Sequence, residues 1–106
     1  MHKIFLRTML IVSLLIPQFV LSGEHYLSGN IKNLTAIRSG VMIMLDTGVP
    51  NNCSGTPYNW MLVEQEHTAI TSVVLAVWVS GKKLGTVYTS GIKNGYCVIT
   101  QFDPAS

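Results

Sequence analysis

Residues 67–80 read HTAITSVVLAVWVS, and the fold turns on whether this stretch is a strand or a helix. Its β-branched content favours a strand, but the run is long for one and contains no turn signal. Ile70, Val73, Val74 and Val77 fall at i, i+3, i+4 and i+7, whereas strict alternation fails because residues 73–77 are apolar throughout. Gly81 follows as a left-handed C-cap, and Lys82 and Lys83 suit the negative end of a helix dipole. The stretch is therefore read as a helix. Leu75, Ala76 and Val79 carry its apolar surface beyond one stripe, at positions where a monomer's surface helix is polar. They predict a second buried face, an oligomer interface against another subunit.

Outward from the helix, the remaining segments read as strands and loops. Residues 26–34 (YLSGNIKNL) alternate weakly, and residues 41–45 (VMIML) form a short apolar run typical of a buried strand. Residues 46–57 (DTGVPNNCSGTP) gather Gly, Pro, Asn and Ser and read as a loop, after which residues 58–65 (YNWMLVEQ) resume strand composition. Beyond the helix, residues 85–89 and 96–102 read as two strands joined by residues 90–95, whose Asn94-Gly95 is a hairpin signal. The order β-β-β-α-β-β is mainly β with one helix. It predicts an OB-fold-like five-stranded barrel, although a small α+β sandwich would read the same way.

The start of the chain is unlike the rest. Residues 1–22 (MHKIFLRTMLIVSLLIPQFVLS) combine a basic start at Lys3 and Arg7, an apolar run and a small residue at Ser22. That pattern predicts a signal peptide cleaved near Ser22 and a secreted or periplasmic protein. An uncleaved anchor is the competing reading, but Pro17 and Gln18 interrupt a run already shorter than the roughly 20 apolar residues a bilayer helix needs. Residues 23–106 are then a single binding domain with no membrane span after processing. Its two cysteines, Cys53 and Cys97, are most simply one disulfide in an exported chain, with two free thiols or a metal pair as alternatives.

Charge and motifs exclude more than they assign. The formal net charge of +2 arises at Lys3 and Arg7. In the remainder Lys32, Arg38, Lys82, Lys83 and Lys93 balance Glu24, Asp46, Glu64, Glu66 and Asp103. A nucleic-acid groove needs clustered positive charge, so no nucleic-acid partner is expected. There is no Gly-x-Ser-x-Gly nucleophile elbow. Ser80-Gly81-Lys82-Lys83 lacks the earlier glycine and the following Ser or Thr of a phosphate loop. Glu64, Glu66 and His67 read as solvated surface groups. No enzyme activity, cofactor or metal is predicted. Tyr26, Tyr58, Trp60, Trp78, Tyr88 and Tyr96 are candidates for a ligand face, with most of them expected in the core because aromatics supply the largest area to a small interior. Asn33-Leu34-Thr35 and Asn52-Cys53-Ser54 match the glycosylation pattern of eukaryotic secreted chains.

Three stretches carry a family resemblance. Tyr26-Leu27-Ser28-Gly29 leads into Ile31, residues 76–84 (AVWVSGKKL) form the helix end and its exit, and Thr86-Val87-Tyr88 begins the next strand. Together they resemble, in a shortened form, the secreted pentameric B (binding) subunits of the subtilase-cytotoxin and typhoid-toxin type. The resemblance implies an OB-fold ring, a pentamer, that binds host glycans of the sialic-acid type and docks a toxin A subunit. By the same resemblance, glycan-binding roles fall on Ser28 and Tyr88, with Tyr26 beside them. A protein-interaction or inhibitor module of the same fold, exported but without sugar binding, is the alternative.

Overall fold

The computed structural model describes residues 23–105; the segment read as a signal peptide lies outside the described residues. Among these described residues five strands are present: β1 (Tyr26–Ile37), β2 (Gly40–Leu45), β3 (Met61–Glu64), β4 (Leu84–Lys93) and β5 (Tyr96–Pro104). An α-helix, α1 (Thr68–Ser80), stands between β3 and β4. The strands close into a barrel in the order β1-β2-β3-β5-β4, with β4 returning to β1. All pairings are antiparallel except β3 with β5, a short parallel pair that joins Met61 to Cys97 and Leu62 to Val98.

Closure depends on the length of β1. Tyr26 to Asn30 pair with β4, and Ile31 to Ile37 pair with β2, so one strand serves two neighbours. A register shift between Ile31 and Asn33 marks the handover. Such an irregularity bends a strand and increases its twist, as a small barrel requires. At the other end Asn94 and Gly95 both take positive φ between the paired Lys93 and Tyr96, making the tight hairpin their sequence predicts.

The interior is filled by aliphatic side chains. Ile31, Ile43, Leu45, Met61, Val63, Val74, Val87 and Ile99 are fully buried, with the Cys53–Cys97 disulfide among them. Helix α1 contributes Val74 and Val77 to this core, supported by half-buried Ile70 and Trp78, and packs against β5. It ends at Gly81 in the left-handed conformation, where Ser80 Oγ donates to the Val77 carbonyl and accepts from the Lys82 amide.

Several expectations are corrected. The third strand begins at Met61, because Tyr58 and Asn59 take positive φ in a 3-10 turn after Pro57 and Tyr58 is 85% exposed. Strand β4 runs on to Lys93 through register shifts, so the connection before β5 shrinks to two residues. Val73 lies at the surface, since the buried stripe follows Ile70, Val74, Val77 and Trp78. None of the six Tyr and Trp residues, most of them expected in the core, is buried; Phe102, 6% exposed, alone among the described aromatics is. A five-stranded barrel leaves a narrow interior that aliphatic side chains largely fill, so the tyrosine and tryptophan rings stay at or near its surface.

Candidate functional site

The edge between β1 and β4 collects the residues to which the sequence gives a binding role. Its register sets Tyr26 opposite Tyr88 and Ser28 opposite Thr86. Since side chains alternate across a strand, the buried Leu27 and Val87 point into the barrel and these four point out. Ser28 Oγ lies 2.6 Å from Thr86 Oγ1, a hydroxyl pair bridging the strands. The rings of Tyr26 and Tyr88 sit 5.8 Å apart between centroids, tilted by 34°. Exposed His25 joins them, its ring 5.2 Å from that of Tyr26 in an edge-on arrangement and 6.4 Å from that of Tyr88. Ser28, Tyr26 and Tyr88 are thus brought together on one outward face.

Strand β5 widens the face. Thr86 pairs with Asp103 and Tyr88 with Gln101, and Gln101 Nε2 donates to Asp103 Oδ1 at 2.9 Å. Burial, and then the charge and hydrogen bonding of the Asp103 carboxylate, raise the Tyr88 phenol above its ordinary value, with a smaller contribution from Tyr26. The phenol therefore stays protonated through the physiological range as a hydroxyl donor and acceptor.

The approach to this face is held from behind. The Thr89 amide donates to the His25 carbonyl at 2.8 Å, and the Asn52 amide donates to the Glu24 carbonyl at 2.8 Å. His25, Thr86, Gln101 and Asp103 were not singled out from sequence. His25 and Thr86 had a signal in hand, being one step and two steps from the aromatic residues that were. Gln101 and Asp103 had none, because their place depends on the shifted register between β4 and β5.

Other sequence candidates lie elsewhere. Cys53 and Cys97 form a disulfide with Cα atoms 5.2 Å apart, which sets aside the free-thiol and metal-pair alternatives. Leu75 and Val79 on α1 are 39% and 80% exposed, and Ala76 is exposed with them, opposite the buried Val74 and Val77. Glu64, Glu66 and His67 bring one ligand atom each within 4.8 Å of one another at the surface, but Glu64 Oε2 is 3.4 Å from Lys93 Nζ. Lys83 Nζ lies 4.3 Å from the Trp78 ring centroid, a cation–π contact that separates it from a basic cluster with Lys82. Open grooves of about 430 Å³ beside Ile37, Val41 and Thr68, and about 390 Å³ beside Val73, Lys82 and Pro104, do not include the aromatic face. No helix among the described residues is long and apolar enough to cross a membrane. Set against protein-family models, curated proteins and solved structures, the chain finds no match.

Proposed function

We propose that the chain is an exported saccharide-binding module with an OB-fold, working as a ring-shaped homo-oligomer that presents glycan sites and docks a catalytic A subunit. The observation that carries this reading is the meeting of Tyr26, Tyr88 and His25 with the Ser28–Thr86 hydroxyl pair on one outward face. Aromatic rings stack on the C–H face of a sugar, while neighbouring hydroxyls match its polar edge. A shallow exposed face also suits a glycan chain on a cell surface, which needs no enclosed pocket. The OB-fold reading is supported by the closed five-stranded order, by the helix between β3 and β4, and by the parallel contact of β3 with β5. The disulfide and the apolar start of the chain support export. Assembly, as a pentamer by resemblance, is supported by Leu75, Ala76 and Val79, whose exposure leaves an apolar helix face uncovered in the single chain.

A glycan array probed with wild type and with Ser28→Ala and Tyr88→Ala tests the site. Selective retention of one glycan class by wild type, lost in both variants, is expected. Retention unchanged in both variants would move the site away from this face. Light scattering on the purified protein tests the ring, which a strict monomer at micromolar concentration would eliminate.

A further inference from the structure

The charge on the aromatic face bears on which saccharides it takes. In register with the Ser28–Thr86 pair, on the neighbouring strand β5, stands Asp103, an exposed carboxylate. No lysine or arginine occupies the paired positions from Tyr26 to Asn30 on β1, from Leu84 to Tyr88 on β4, or from Gln101 to Pro104 on β5. A sugar acid laid on this face would bring its carboxylate towards a like charge without a guanidinium or ammonium to receive it, the exposed imidazole of His25 beside Tyr26 and Tyr88 being the one basic side chain on the face. Anion recognition ordinarily supplies such a partner.

For a neutral sugar the same groups are complementary. Gln101 Nε2 occupies one lone pair of Asp103 Oδ1 and the Tyr88 phenol hydrogen-bonds the same carboxylate; an ionised carboxylate has about four acceptor sites, so two remain for the hydrogens of a vicinal diol. Hydrogen bonds to a charged acceptor are roughly twice as strong as neutral ones. Ser28 and Thr86 have two hydroxyl hydrogens between them, of which one is spent in their mutual bond. The other is free to donate, and both oxygens keep lone pairs. Tyr26 and Tyr88 then provide ring surface for the sugar's C–H face.

Resting on the saccharide-binding reading, we propose that this face selects neutral saccharides over sugar acids, with Asp103 accepting hydrogen bonds from a pair of sugar hydroxyls beside the Ser28–Thr86 pair. The face thereby excludes terminal sialic acid, the sugar implied by the resemblance.

The test uses the exported, disulfide-intact protein on an array that carries neutral oligosaccharides built on galactose, glucose, mannose or fucose, each with and without a terminal sialic acid. The best-retained neutral oligosaccharide and its sialylated form are then titrated by NMR against wild type and Asp103→Asn. The neutral form is expected to bind wild type at least about tenfold more tightly than its sialylated form, and Asp103→Asn is expected to weaken neutral binding about tenfold and narrow that gap, the size expected for losing a charge-assisted hydrogen bond. Tighter binding of the sialylated form by wild type overturns the proposal, as does neutral binding unchanged in Asp103→Asn. Failure of both classes to bind, with a folded spectrum, overturns the saccharide reading beneath it.

Discussion

Asn52 and Thr89, 37 residues apart, hold each other by two hydrogen bonds: Asn52 Nδ2 donates to the Thr89 carbonyl at 3.0 Å, and Thr89 Oγ1 lies 2.6 Å from Asn52 Oδ1. The pair ties the turn at residues 51–53 to β4 directly behind His25. Thr89 is buried, so removing its hydroxyl leaves the Asn52 carbonyl oxygen without its donor. Thr89→Val, which keeps the shape, is expected to cost about 1–2 kcal/mol in urea unfolding. Asn52→Asp, which takes away the amide donor and adds a charge, is expected to cost at least as much.

The Cys53–Cys97 disulfide fastens the loop between β2 and β3 to β5 across a sequence separation of 44. Closing a loop of that length removes about 4 kcal/mol of unfolded-state entropy in the chain-entropy model. Small domains have total stabilities of roughly 5–15 kcal/mol. Cys53→Ser combined with Cys97→Ser, or reduction of the wild type, is therefore expected to lower the unfolding free energy by about 4 kcal/mol in denaturant titration.

Tyr88 has an alkaline signature. Burial and the Asp103 carboxylate raise its phenol above the ordinary value, so the folded state favours the protonated form more than the unfolded chain does. The associated stability is fully present below the unfolded value, about 10, and is lost as pH rises through the higher folded one. The phenolate absorbance that disappears in Tyr88→Phe should titrate above the free-tyrosine range in wild type. Asp103→Asn should move that titration downward.

The outer face of α1 gives a prediction about assembly. Leu75 and Val79 are exposed in the single chain, and burying an aliphatic side chain contributes about 1.5–3 kcal/mol. If the proposed ring forms through this face, Leu75→Asp combined with Val79→Asp should dissociate it while leaving circular dichroism unchanged, because Val74 and Val77 still fill the core. Molecular mass by light scattering reads the outcome.

Much of the fold was legible because local signals agreed with tertiary ones. Asn94-Gly95 marks its hairpin by backbone conformation alone, and Gly81 marks the end of α1 in the same way. Tyr58 misled for a physical reason: Tyr-Asn-Trp has strand composition, yet Pro57 begins a 3-10 turn and the next two residues adopt positive φ. The helix period was readable, but its phase was not, since Val73 and Val74 are chemically identical and only the barrel decides which one it covers. Ser28, Tyr26 and Tyr88 could be named from their own segments. Asp103 could not, because the shift in register after Tyr88 determines which β5 residues share their face.

Strand β5 is the last of the five strands in sequence, yet it pairs on both sides, with β3 and with β4, and carries the second cysteine. Until it arrives, β3 and β4 each have an open edge and Cys53 has no partner. The barrel is thus unable to seal until β5 has been synthesised, and contacts between distant segments form only then. Barrel closure and oxidation are consequently coupled events, both waiting on β5.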